Sequence, residues 1–212
     1  MQEPEKVSNP VMQITNRTTA NEAQAHDLLL AARQALQDGA HQQATTLLQD
    51  ALDLDVALHE ARENLLALYM RNNDLESAAK AVEAGLRLAP DNELYITTRA
   101  RLLAEAEDYA SAIQYLSEYI RSGKARTESR SALAAFYQQV GEYSASTALY
   151  QYLLTIDPAR TVWWLGLAIS LENTGHTESS LAAFRQVLQG RKSRPDLAQY
   201  ARQRISVLST GR

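Results

Sequence analysis

Histidine is the side chain best placed to move protons or hold a metal, and the chain has four: His26, His41, His59 and His176. None stands in an HExxH or comparable pair, so solvated helix-surface histidines are expected and no metal site. Glu60 and Glu63 lie three apart and would share one helix face. Two carboxylates act as general acid and base only where a pocket separates their pKa values. On an open helical face they stay solvated. Serines and threonines are numerous, but no G-x-S-x-G elbow, phosphate loop or G-x-G-x-x-G fingerprint accompanies them. Trp163-Trp164 and ten tyrosines are material for either a base-stacking platform or a packed core. The expectation is a chain that is not an enzyme, with no catalytic, cofactor-binding or metal-binding residues.

Composition narrows the choice. The 212 residues are 45% hydrophobic and 22% charged, with net charge −4 and pI about 5.6. That balance offers no basic field for nucleic acid or acidic lipid, so nucleic acid and direct membrane contact are not expected. There are no cysteines, hence no disulfide, thiolate metal site or lipidated cysteine. The longest apolar run, Val162 to Ile169, is far short of the roughly 20 residues needed to span a bilayer. No signal peptide is read at Met1, and a soluble chain is expected.

The elements that must position these residues show in the spacing. Ala44, Ala78 and Ala112 recur at 34-residue steps, as do Gly141 and Gly175, and Gly39 stands three such steps before Gly141. The eighth position of each period holds Ala32, Leu66, Ala100, Ala134 and Ala168. The twentieth holds Ala44, Ala78, Ala112, Ser146 and Ser180, small residues suited to close helix approach. The twenty-fourth holds bulky Leu48, Val82, Leu116, Tyr150 and Phe184. The turn position holds Gly39, Asn73, Glu107, Gly141 and Gly175, mostly residues that tolerate the left-handed conformation ending a helix. A period of 34 with this pattern resembles the tetratricopeptide (TPR) helix–turn–helix repeat.

The expected fold class is therefore all-α: a right-handed α-solenoid of five TPR repeats plus a C-terminal capping helix. A flexible lead-in, 1–18, would precede a single TPR domain, 19–210, beginning at a Thr19–Glu22 capping box. The repeats are 25–58, 59–92, 93–126, 127–160 and 161–194, with first helices over about the first fourteen positions and second helices over about positions seventeen to thirty. Leu197, Ala201, Ile205 and Leu208 recur at helical spacing, marking the capping helix 195–209. Arg62 and Arg130 stand where a large aromatic is usual. Trp164 takes the core position in the fifth repeat, while Trp163 either covers the joint between repeats four and five or anchors a partner.

In such a stack the first helices line a concave groove, the expected binding surface for protein partners. The candidate partner-binding residues are Leu29, Arg33, Glu60, Glu63, Asn64, Met70, Arg71, Thr97, Arg101, Gln138, Val162, Leu165 and Ile169. The groove so read is apolar at its ends and mixed in charge at its middle. A two-carboxylate clamp for chaperone tails is disfavoured: Asn64 fits, but Leu29, Leu94 and Thr98 replace the required basic residues.

The stretch Trp163-Trp164-Leu165-Gly166-Leu167-Ala168-Ile169, with Leu181-Ala182-Ala183-Phe184-Arg185 and Gly85-Leu86-Arg87-Leu88-Ala89-Pro90, carries a narrower resemblance. Over about residues 12–208 the chain is similar to the MSHA biogenesis protein N (MshN) family, TPR proteins of mannose-sensitive haemagglutinin type IV pilus assembly. That resemblance implies repeats in the periplasm of a protein held in the bacterial inner membrane by an N-terminal helix, with other pilus-assembly components as partners. The anchor helix is not found in this chain. The alternative reading is a cytoplasmic TPR adaptor or secretion chaperone.

Overall fold

The computed structural model describes residues 10–190 and 194–210, with side chains from residue 18 onward. Eleven α-helices and no strand make up the described residues. They are α1 (Pro10–Gln37), α2 (His41–Leu54), α3 (His59–Arg71), α4 (Leu75–Leu88), α5 (Glu93–Glu105), α6 (Tyr109–Arg121), α7 (Thr127–Gln139), α8 (Tyr143–Ile156), α9 (Thr161–Asn173), α10 (Thr177–Gln189) and α11 (Pro195–Thr210). Helices α3, α5, α7 and α9 each begin on the first position of the period and run 13 residues.

Each hairpin turns at the predicted residue. Gly39, Asn73, Glu107, Gly141 and Gly175 have φ of 74°, 58°, 61°, 81° and 78°. In all five the next residue reaches back five positions, as Ala40 N–H does to Ala35 O (2.8 Å) and His176 N–H to Leu171 O (2.9 Å). That pairing satisfies carbonyls left open at the end of a first helix. Asp74 and Asp108 then cap α4 and α6, accepting from Ser77 N–H at 3.1 Å and Ser111 N–H at 3.0 Å.

The packing follows the pattern. All five residues at the twentieth position are fully buried, and the bulky residues four places on are at most 4% exposed. Serine at the twentieth position finds a partner: Ser180 Oγ donates to Ala168 O at 2.9 Å, and Ser146 Oγ lies 3.0 Å from Ser170 Oγ. A buried hydroxyl without a partner would cost about 1–3 kcal/mol.

Two expectations need correction. Residues 1–9 of the lead-in lie outside the described residues, but residues 10–18 are helical, so Thr19 and Glu22 sit within α1 and cap no helix start. Proline opens this helix without penalty because a first-turn N–H has no intrahelical acceptor. Trp163 and Trp164 exchange roles. Trp163 is 4% exposed, whereas Trp164 is only partly buried.

The helices group into two compact units, one ending at Pro90 and one beginning at Asp91. The first unit packs α1 to α4 around Ala25, Leu29, Leu48, Leu65 and Leu68. In the second, Tyr150, Leu153, Trp163, Leu167, Phe184 and Val187 form the core, and α11 covers it with Ala201 and the partly buried Leu197, Ile205 and Leu208. Arg204 of α11 holds Glu172 of α9 through both carboxylate oxygens.

Candidate functional site

The first position of α5 does its work on another helix. Glu93 Oε1 accepts from Arg126 N–H (2.9 Å), Ser129 N–H (3.1 Å) and Ser129 Oγ, so α5 supplies the N-terminal cap of α7. Lys124 Nζ meets Asp91 at 2.7 Å, and Tyr119 OH donates to Asp91 O at 3.2 Å. These bonds set α5 beside α7, and α7 packs in turn on α9. The three first helices thereby form one wall in the second unit.

On that wall the candidate residues have different fates. Thr97 is buried, its hydroxyl without a partner among the described residues. Gln138 Nε2 bridges helices, donating to Gly166 O at 2.8 Å and Ser170 Oγ at 2.7 Å. Its amide is committed to packing. Leu165 and Ile169 are partly buried against the core, whereas Val162 is 51% exposed. Arg101 is exposed and has no ion pair among the described residues. It borders two open cavities. One, about 410 Å³, is lined by Glu128, Ser131, Arg160, Val162 and Trp163; the other, about 360 Å³, by Glu105, Glu107, Tyr109, Phe136 and Gln139.

The open question about Trp163 is settled by its neighbours. Its indole N–H donates to Ser131 Oγ at 3.0 Å, and the Arg160 guanidinium stands 5.2 Å over its ring. The residue thus ties α7 to α9. Tyr150 is also a core residue, and burial pushes its phenol up to about 12. Its ring lies on Gly166, where a Cβ would come within 2.3 Å of ring carbon. Arg160 is not legible in the sequence because it lies between repeats, outside the first-helix positions that line the wall. Its spacing to Trp163 is the only local sign.

In the first unit α1 and α3 carry the remaining candidates. Leu29 is 3% exposed and belongs to the core. Arg33 and Glu60 form an ion pair between the two helices. The Glu60 side chain raises the Arg33 pKa, chiefly by accepting its hydrogen bond. Glu63, Asn64 and Met70 are half-buried and Arg71 is exposed. Glu60 is thus bound to a cation.

The fourth position of the repeat has a chemistry that the aromatic pattern concealed. Arg62 Nη2 donates to Val56 O (2.7 Å), Arg130 Nη1 to Ala125 O and Arg126 O, and Trp164 Nε1 to Pro158 O (2.8 Å). A guanidinium therefore replaces an indole because both present a planar N–H to the carbonyls of the preceding inter-repeat loop. The Arg130 guanidinium lies, in addition, 5.3 Å over the Tyr152 ring.

Residues 59–92 match the tetratricopeptide repeat model, the same 34 residues that the spacing assigns to the second period. No curated protein matches the chain in sequence. Among solved structures, the chain is similar to the Pseudomonas aeruginosa pilF protein, with TM-score 0.71, 16% identity, and 91% of each chain covered. The fold is that of the TPR proteins. A thermophilic TPR protein of Thermus thermophilus gives TM-score 0.69 at 16% identity, over 84% of this chain and 97% of that one. YrrB, described as a TPR protein with an unusual peptide-binding site, gives TM-score 0.59 at 17% identity, over 89% and 97%. Among the described residues no three His, Asp or Glu side chains gather as a metal-holding group, and no helix is long and apolar enough to cross a membrane.

Proposed function

We propose that this chain is a non-enzymatic TPR scaffold that holds segments of protein partners against its first-helix walls, in the assembly of a bacterial MSHA-type type IV pilus. One observation carries the binding assignment. On the second-unit wall Arg101 has no ion pair among the described residues, and Val162 remains exposed, while the packing positions around them are buried. Such a wall is preformed, so most of the ordering cost falls on the partner segment. The pilus assignment draws its support from the MshN resemblance and from the fold likeness to pilF. The same resemblance supports a periplasmic location next to the inner membrane.

In-cell crosslinking with mass spectrometry, comparing wild type with Arg33→Glu/Arg101→Glu, tests the assignment. The double charge reversal is expected to lose partners that wild type captures, pilus-assembly components among them. Equal capture of the same partners would remove the walls from consideration. Loss of partners that include no pilus component would leave a scaffold and refute the pilus role.

A further inference from the structure

Arg62 is the only charged side chain fully buried among the described residues, at 5% exposure. Among the described residues its Nη2 donates to Val56 O, and its Nη1 has no hydrogen-bond partner. No carboxylate among the described residues pairs with it. Arg130 reaches two carbonyls and an aromatic face, and Trp164 at the same position carries no charge. A guanidinium stays charged when buried, and a buried charge is costly without a counter-ion. Loop closure explains one N–H of Arg62 but not its charge.

Beside Arg62, α2, α3 and α4 border an open cavity of about 240 Å³ within the first unit. Leu52, Leu65 and Ala81 supply apolar wall, and Tyr69 and Lys80 reach it from two helices. Lys80 is already neutralised by Glu76 at 2.6 Å. Tyr69 OH accepts from Gln49 Nε2 at 2.9 Å, which leaves its own hydrogen to donate. The cavity therefore offers one uncompensated positive charge, one hydroxyl donor and an apolar lining.

We propose that this cavity binds a singly charged carboxylate on a short apolar stem, seated against the Arg62 guanidinium. A monoanion balances the single open charge, whereas a phosphate dianion would leave surplus negative charge near Glu76. The carboxylate comes either from a small organic acid or from an acidic side chain of a bound segment. This site is separate from the first-helix walls and does not depend on them.

Sodium butyrate is the probe, added to the full ¹⁵N-labelled chain, with butyramide and sodium chloride as controls. Butyrate should produce a saturable shift of the Arg62 Nε–Hε resonance and of the Leu65 and Ala81 amides, and the controls should not. Arg62→Trp keeps an N–H for the loop carbonyl, as Trp164 does, and should abolish the response. A capped peptide with one glutamate is then added to the butyrate complex. Displacement assigns the site to a side chain and no displacement to a small acid, and either supports a carboxylate site. Absence of a saturable shift in wild type, or an equal response in Arg62→Trp, would reduce Arg62 to a loop-closing donor. Should the variant not fold, the wild-type Arg62 titration decides alone.

Discussion

At the scale of single residues, Gly166 and Tyr150 make the sharpest case. The Tyr150 ring occupies the space a Cβ at residue 166 would need, so Gly166→Ala should destabilise the chain by about 1–3 kcal/mol. Adding Tyr150→Leu, which removes the ring end, should recover part of that loss; a double-mutant cycle by urea denaturation checks the coupling. Glu107 is the opposite case. It holds φ of 61° with a side chain that disfavours it, so Glu107→Gly should raise stability by about 1 kcal/mol. Leu116 is fully buried, and Leu116→Ala should cost about 2–5 kcal/mol in the same assay. The turn and knob positions were legible because each is a local requirement repeated at a fixed interval. Gln138 was not legible. Whether its amide faces outward or bridges α7 to α9 depends on where Gly166 and Ser170 of another helix lie.

Helix caps decide behaviour at the scale of elements. Hydrogen bonds from Ser77 and Ser111 hold the Asp74 and Asp108 carboxyls below their ordinary value of 3.8. A carboxyl with a depressed folded pKa contributes its stabilisation above the unfolded value, and loses it as pH falls through the folded one. Stability should therefore decline below about pH 4, and Asp74→Asn/Asp108→Asn should flatten that decline while keeping an acceptor at each cap. Denaturant midpoints measured from pH 6 downward check it. The helices themselves were readable from the spacing, with α3, α5, α7 and α9 starting where the period begins. The cap that Glu93 gives α7 was hidden, since the residues it serves are more than thirty positions away. Helix α1 started early for a related reason: an internal T-x-x-E spacing is a start signal only where the preceding residues leave the helix.

For the molecule as a whole, the closing helix has the largest consequence. Helix α11 covers the last apolar face and anchors it through Arg204 and Glu172. Removing residues from Pro195 onward should speed amide exchange in α9 and α10 much more than in α2 and α3, as measured by hydrogen–deuterium exchange. By itself the sequence determined the all-helical class, the 34-residue register, the turn residues and most of the core. Those features are repeated and short-range, so spacing alone exposes them. Only the tertiary structure decided that Trp163 lies deeper than Trp164 and that Leu29 belongs to the core. Each of those depends on how one helix is rotated against another, and a one-dimensional period carries no record of that angle.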